Sequence, residues 1–365
     1  DAHWRELARK WNCALLGARY RADGDCRKWS DPEQGSNASF LYALKRLSEM
    51  ANHPEMARAP WCLWGHSGGA SWAHAMLIKH PDRTLAVFLR SGSADWDRDN
   101  KKSSRRRTTW DPRLLFVPIL CNAGLQEKTH PRFQQTWDAQ MKLFTAFRAR
   151  GGFIAFAPDP GSGHNCGHSR FLAIPFFDAC LDQRLPDPLN PMNGLNRMDP
   201  WNAWLGRMRD ASILPSADFA GAREEVSWLP NERVARIWRE FTRSGTVADS
   251  TPPFTPPTGL RARRLADGSI SLTWAATPDF ESGIGGFVIY RNGKRIAELR
   301  GGSQDSQIAG QFQPVSYHDT PQSPLRAMRF VDESPGSGKR QEYQVSLVNG
   351  VGAESRRSES LVVQP

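Results

Sequence analysis

The spacing of apolar residues changes along the chain. Up to about residue 250, short apolar runs alternate with segments of helical period; beyond it, apolar and polar residues alternate with a period of two. Residues 3–10 read as the tail of an amphipathic helix, and Asn12-Cys13-Ala14-Leu15-Leu16-Gly17 as a short buried strand ending in glycine. After the turn residues Asp23-Gly24-Asp25 and Asp31-Pro32, a helix is predicted from Ser36, with Phe40, Leu41, Leu44 and Leu47 at helical spacing. Trp61-Cys62-Leu63-Trp64 predicts a strand, Gly65-His66-Ser67-Gly68-Gly69 a glycine-flanked turn, and Ala70 to Lys79 a helix. Further strands are expected at Leu85 to Leu89, Leu115 to Cys121 and Gly152 to Ala157, and helices at Trp137 to Ala149 and over 170–183. Short apolar strands alternating with helices argue for an α/β fold with a parallel sheet covered on both faces. The stretch 186–250 reads as a Pro- and Trp-rich extension with helical pieces, of which Asn231 to Arg243 is the clearest.

Thr251-Pro252-Pro253-Phe254-Thr255-Pro256-Pro257 can be neither helix nor central strand and reads as a stiff linker. Past it, Ser269 to Trp274, Gly286 to Arg291 and Glu342 to Asn349 alternate like half-buried antiparallel strands. The domain expectation is therefore 1–250, a linker over 251–257, and a second domain over 258–365. A length of 365 residues agrees with more than one core. No internal repeat is visible.

Composition narrows the partners. Hydrophobic residues make up 39% and charged residues 24%, as in a globular protein, and no apolar run approaches the roughly 20 residues of a membrane span. Much of the net charge of +10 lies in one run, Arg98 to Arg113, which reads as a solvated loop. No zinc finger, RNA-binding signature or basic amphipathic helix accompanies it, so nucleic acid is not an expected partner. The six cysteines are widely spread without CxxC spacing, which argues against a zinc site and against a disulfide scaffold. Cys13, Cys62 and Cys121 fall in apolar segments, where a buried thiol is the commoner state.

Candidate chemistry centres on Gly65-x-Ser67-x-Gly69. Such a motif matches by chance in many chains, but here it lies between a strand and a helix, where a serine on a tight turn is held over the sheet edge. The helix N-terminus beneath it adds free N–H groups and a positive dipole end. A serine hydroxyl needs a base, and the base an orienting acid, in the chain order serine, acid, histidine on such a fold. Glu127 follows the strand ending in Asn122-Ala123-Gly124. His164 lies in the loop Pro160-Gly161-Ser162-Gly163-His164 after the strand ending at Ala157. His168 is the rival base, Asp138 and Asp159 are rival acids, and His66 is read as packing beside the turn. Trp96 and Trp110 flank the basic loop and are candidate substrate-gripping rings; scattered surface tryptophans are the plainer reading.

On these residues, 1 to about 185 resembles the C-terminal two-thirds of an α/β-hydrolase catalytic domain. It is similar to bacterial esterase-like hydrolases and, more distantly, to polyhydroxyalkanoate depolymerases and feruloyl or acetyl-xylan esterases. The resemblance implies a Ser67–His164–Glu127 triad, an oxyanion hole using the Gly68 N–H, acyl transfer to Ser67, and no metal or other cofactor. Residues from about 256 to 363 resemble a fibronectin type III domain. That likeness rests on Pro257-Thr258-Gly259-Leu260, Ile270-Ser271-Leu272-Thr273-Trp274, Phe287 to Gly293, Tyr343-Gln344-Val345 and Asn349-Gly350-Val351-Gly352, with an insertion at roughly 300–328. Such modules space or dock domains, and their presence associates the chain with export and an extended ester substrate. In the hydrolase family, upstream strands supply the second oxyanion N–H. The chain begins at Asp1, so a truncated or processed chain is expected. Two other functions stay open: a non-catalytic binding or adhesion protein on a hydrolase scaffold, and a serine peptidase of the same fold.

Overall fold

The computed structural model describes residues 4–18, 20, 26–94, 111–186, 194–279, 281–300, 328–336 and 340–365. They fall into two units: Leu16–Val247, and Asp1–Leu15 together with Ala248–Pro365.

Helix α1 (Arg5–Lys10) belongs to the second of these units. Glu6 accepts the Phe254 N–H through Oε1, and Arg9 Nη1 donates to Thr277 Oγ1 at 2.7 Å. The expected strand after it does not form. Trp11 donates to Leu7 O and Cys13 to Ala8 O, and Asn12 takes φ 51°, a left-handed helix end. That conformation breaks the extended backbone, and Cys13 to Gly17 is irregular and exposed, with Leu15 at 47% and Leu16 at 43%.

In the unit Leu16–Val247, a short helix α2 (Cys26–Trp29) precedes α3 (Ser36–Met50). Phe40 of α3 is buried, whereas Leu41, Leu44 and Leu47 are only half-buried. Then β1 (Trp61–His66), α4 (Gly68–Lys79), β2 (Thr84–Arg90), β3 (Ile119–Gly124), α5 (Gln134–Arg148), β4 (Ile154–Asp159) and α6 (Arg170–Arg184) follow. The strands form one parallel sheet in the order β1-β2-β3-β4. Strands β2 and β3 are buried at every position, as a sheet covered on both faces requires. Leu63, Val87, Leu89, Ile119, Cys121, Ile154 and Phe156 share a core with α3, α4 and α5, while α6 packs on β2. Strand β3 starts four residues later than the sequence suggested. Pro112 opens a 3-10 turn over Pro112–Phe116, capped by Asp111, and Pro118 has no N–H for the ladder, offering only its carbonyl to Val87.

The segment read as a Pro- and Trp-rich helical extension also carries a small second sheet. Strands β5 (Trp204–Arg207), β6 (Ile213–Pro215) and β7 (Val226–Leu229) are antiparallel in the order β6-β5-β7, and α7 (Glu232–Ser244) is the helix read from Asn231 to Arg243. Ser227 of β7 bridges to β4: its Oγ accepts the Phe156 N–H at 2.9 Å and donates to Phe156 O at 3.0 Å.

In the other unit, β8 (Thr258–Arg264), β9 (Ile270–Ala275), β10 (Gly286–Arg291), β11 (Lys294–Arg300), β12 (Met328–Asp332), β13 (Gln341–Val348) and β14 (Leu361–Val363) make two antiparallel sheets. Their orders are β12-β9-β8 and β11-β10-β13-β14. Trp274, Phe287, Ile289, Tyr343, Val345 and Leu347 fill the space between them. Asn292-Gly293 turns β10 into β11 with φ 51° and 76°, the positive values a tight hairpin needs. Tyr343, near the start of β13, donates to Asp332 Oδ2 at 2.6 Å at the end of β12 and so ties the two sheets together. This unit is a two-sheet antiparallel sandwich. The Pro-rich segment 251–257, read as a stiff linker, lies within this unit: Pro253, Thr255 and Pro257 are buried, and Asn349 Nδ2 donates to Thr251 O at 2.9 Å.

Candidate active site

Three loops at the C-terminal ends of parallel strands build the site. After β1, the chain turns at Ser67 with φ 53° and ψ −119° and enters α4 directly. This is a sparsely populated region for a non-glycine residue, costing about 1–3 kcal/mol unless the surroundings enforce it. They do. The Ser67 N–H donates to Arg90 O at 2.9 Å, and Ser71 donates back to Ser67 O through its N–H at 3.1 Å. A Cβ at Gly65 would lie 2.2 Å from Gly69 O, and one at Gly92 would lie 2.3 Å from Ser67 O. The turn therefore depends on Gly65, from the motif, and on Gly92, from the end of β2.

The second loop follows β3. Glu127 sits in a 3-10 turn, Leu125–Thr129, fully buried. The third follows β4 and carries His164. The two loops meet at Gly124, where a Cβ would come within 2.3 Å of Gly163 O, and the Gln126 N–H donates to Ser162 O. The outcome is a chain of polar contacts. His164 Nε2 stands 3.0 Å from Ser67 Oγ, and His164 Nδ1 stands 3.4 Å from Glu127 Oε1. With Nε2 accepting from the serine, Nδ1 carries the proton facing Glu127.

Among the alternatives, Asp138 is exposed on α5, and Asp159 is buried beside Arg90 with Nη1–Oδ2 at 3.2 Å. His168 lies against Arg170 Nη1 at 3.2 Å and Phe171, and burial, with the Arg170 charge behind it, pushes its pKa down. The His66 ring is 5.1 Å from that of His164. The Gly68 N–H lies in the first turn of α4, where no intrahelical acceptor exists. Trp96 and Trp110 lie outside the described residues, as does most of the basic run 98–113.

Four neighbours escaped the sequence reading. Ser91, left-handed at φ 52° and fully buried, donates to Glu127 Oε1 at 2.5 Å. Gln140 of α5 reaches under this turn, donating to Leu89 O and Gly92 O. Phe133 lies flat on the His164 ring, 3.8 Å between centroids and 5° between planes. Arg90 is the fourth. Its signal was present: a charged residue closing a strand that is otherwise apolar from Leu85 to Leu89.

Elsewhere, Asp249, Asp279 and Glu281 of the sandwich unit bring carboxylate oxygens within 4.8 Å of one another. Internal donors occupy them: Asp279 Oδ1 accepts from the Glu281 and Ser282 N–H groups, and Asp249 Oδ2 from Ser282 and Asn349. Burial, then the charge of Asp249, pushes Glu281 up to about 8. Among the described cysteines, Cys13, Cys121 and Cys180 are free thiols, and burial pushes Cys121 and Cys180 up. No described helix is long and apolar enough to cross a membrane.

No family model and no curated protein matches this chain. Among solved structures, similarity is found to a Fn3-like protein from Clostridium thermocellum, 24% identical over 32% of this chain and 94% of that one, TM-score 0.21. The central fibronectin-III array of RIM-binding protein is 14% identical over 32% of this chain and 37% of that one, TM-score 0.22. The spore cortex lytic enzyme SleM of Clostridium perfringens is 14% identical over 68% of both chains, TM-score 0.22. TM-scores of this size establish neither a shared fold across the chain nor a shared activity.

Proposed function

We propose that the unit Leu16–Val247 is a serine hydrolase of the α/β-hydrolase type, cleaving carboxylic esters through an acyl-enzyme on Ser67. The carrying observation is the Ser67 Oγ–His164 Nε2 distance of 3.0 Å at a serine held at φ 53°. Glu127, buried on the far side of the imidazole, and the order of the three residues after β1, β3 and β4 support the same reading. In this mechanism His164 takes the Ser67 proton as Oγ attacks the ester carbonyl, and Glu127 stabilises the imidazolium. The flat contact with Phe133 favours that cation further, since a ring face attracts positive charge. The Gly68 N–H faces the developing oxyanion, and His164 then protonates the departing alkoxide. Water activated by His164 releases the acid and frees Ser67. The fibronectin type III-like unit is assigned a spacing or docking role, so polymeric esters belong in the substrate panel.

Matched p-nitrophenyl esters and p-nitroanilides test this in the full chain. Ester turnover should exceed amide turnover and fall at least about 10³-fold in Ser67→Ala and His164→Ala. Faster amide turnover would make the enzyme a peptidase. Absence of turnover on either class would favour the binding-protein reading.

A further inference from the structure

Arg90 ends β2 and is fully buried, a formal charge beside the base of the site. Burying a guanidinium is costly unless every arm is bonded. Here Nε donates to Asn165 O at 2.7 Å, and Nη2 to Ser162 Oγ at 2.6 Å and Gly163 O at 3.2 Å. Nη1 donates to Asn122 Oδ1 at 2.6 Å and stands 3.2 Å from Asp159 Oδ2. The two carbonyls belong to the residues on either side of His164. The backbone of the same arginine accepts the Ser67 N–H. One residue therefore ties the turn that carries the serine to the loop that carries the imidazole.

The surroundings fix the fork in turn. Asp159 Oδ1 caps the Gly161 N–H at 3.0 Å, and Asn122 Nδ2 donates to Ala157 O at 2.8 Å. Gly167 has φ 54°, and a Cβ there would meet Asp159 Oδ2 at 2.5 Å and Arg90 Nη2 at 3.3 Å. No slack is left in the loop from 159 to 167 on its arginine side. A planar guanidinium can bond both carbonyls and Ser162 at once; a lysine ammonium in the same place keeps the charge and loses the fork.

We propose that Arg90 is a positioning residue for His164, holding residues 163 and 165 so that Nε2 stays within reach of Ser67 Oγ. This rests on the reading of Ser67 and His164 as nucleophile and base. A displacement of about 1 Å at such a pair lowers turnover by about 10²-fold.

The test uses the full chain as wild type, Arg90→Lys, Ser162→Ala and Ser67→Ala. Active sites are titrated with a fluorophosphonate, folding is followed by far-UV circular dichroism, and p-nitrophenyl acetate kinetics run from about pH 5 to about pH 9. Folded Arg90→Lys should lose about 10²-fold in kcat per titrated site, with KM within about twofold. Its acid limb should stay in place, because the charge is retained. A purely structural role would lower the number of titratable sites and leave kcat per site unchanged. Wild-type kcat per site in folded Arg90→Lys overturns the proposal. If Arg90→Lys does not fold, Ser162→Ala, which removes one arm of the fork, decides: about tenfold lower kcat per site supports it, wild-type kcat overturns it. A wild type whose labelling and turnover survive Ser67→Ala would instead bring down the nucleophile assignment and the role of Arg90 with it.

Discussion

At Gly65 a Cβ would lie 2.2 Å from the carbonyl oxygen of Gly69, whereas at Gly69 itself nothing stands within 4 Å. The two glycines of the motif are symmetric in sequence and unequal in space. Gly65→Ala should destabilise the fold by about 1–3 kcal/mol and abolish ester turnover, since backbone must move under the serine. Gly69→Ala adds a better helix former in the first turn of α4, so urea midpoint and turnover should match or exceed wild type. Equal losses in both variants would contradict this. A second residue-scale expectation concerns His74 of α4, fully buried, with Nδ1 accepting the Ala94 N–H at 3.1 Å. Burial pushes it down to about 4 from 6.5. The unfolded chain therefore binds a proton more readily. The native state keeps full stability above pH 6.5 and loses up to about 3 kcal/mol as pH falls to 4. His74→Gln keeps an acceptor without a titration. Urea unfolding at pH 7 and pH 4.5 should show a smaller acid loss in that variant than in wild type.

At the scale of elements, the sequence is most legible where a period is long and uninterrupted. Helices α4, α5 and α6 and strands β2 and β4 lie within a few residues of the positions read from the pattern. Misreadings follow from local backbone chemistry. Asn12 ends a helix where an apolar run suggested a strand, and Pro118 delays β3. Short strands with two or three contributing apolar residues, such as β5 to β7, have too little period to be seen among the surrounding prolines and tryptophans. The link from β7 to β4 is a single side chain serving both backbone groups of Phe156. Ser227→Ala leaves the buried Phe156 N–H without that partner, while Phe156 O keeps the Trp238 Nε1 donor at 2.9 Å. It should cost about 1–3 kcal/mol in urea unfolding, whereas Ser227→Thr, retaining the hydroxyl, should cost less.

Across the whole chain, Ser67, Glu127 and His164 were legible because strand order fixes which loops share one end of a parallel sheet. Their supports were harder to see: Ser91, Gln140 and Phe133 come from elements with no motif of their own, and Arg90 showed only as a charge closing an apolar strand. In the sandwich unit, Thr251 Oγ1 donates to Glu281 Oε2 at 3.1 Å, so the Pro-rich strap meets the acidic trio. Glu281, raised from 4.5 to about 8, holds its proton longer when folded than when unfolded. Stability contributed there is present at low pH and is lost as pH rises from 4.5 through 8. Glu281→Gln should therefore raise the thermal midpoint at pH 9 and change it little at pH 5. An equal shift at both would contradict the assignment.

The central claim is that Ser67 is the residue acylated. Wild type and His164→Ala, each treated with a fluorophosphonate and digested, give the most direct measurement by peptide mass mapping. In wild type the adduct should fall on the peptide containing Ser67, at about one per chain, and it should be strongly reduced in His164→Ala. An unmodified Ser67 peptide, or an adduct on any other residue, would contradict the account.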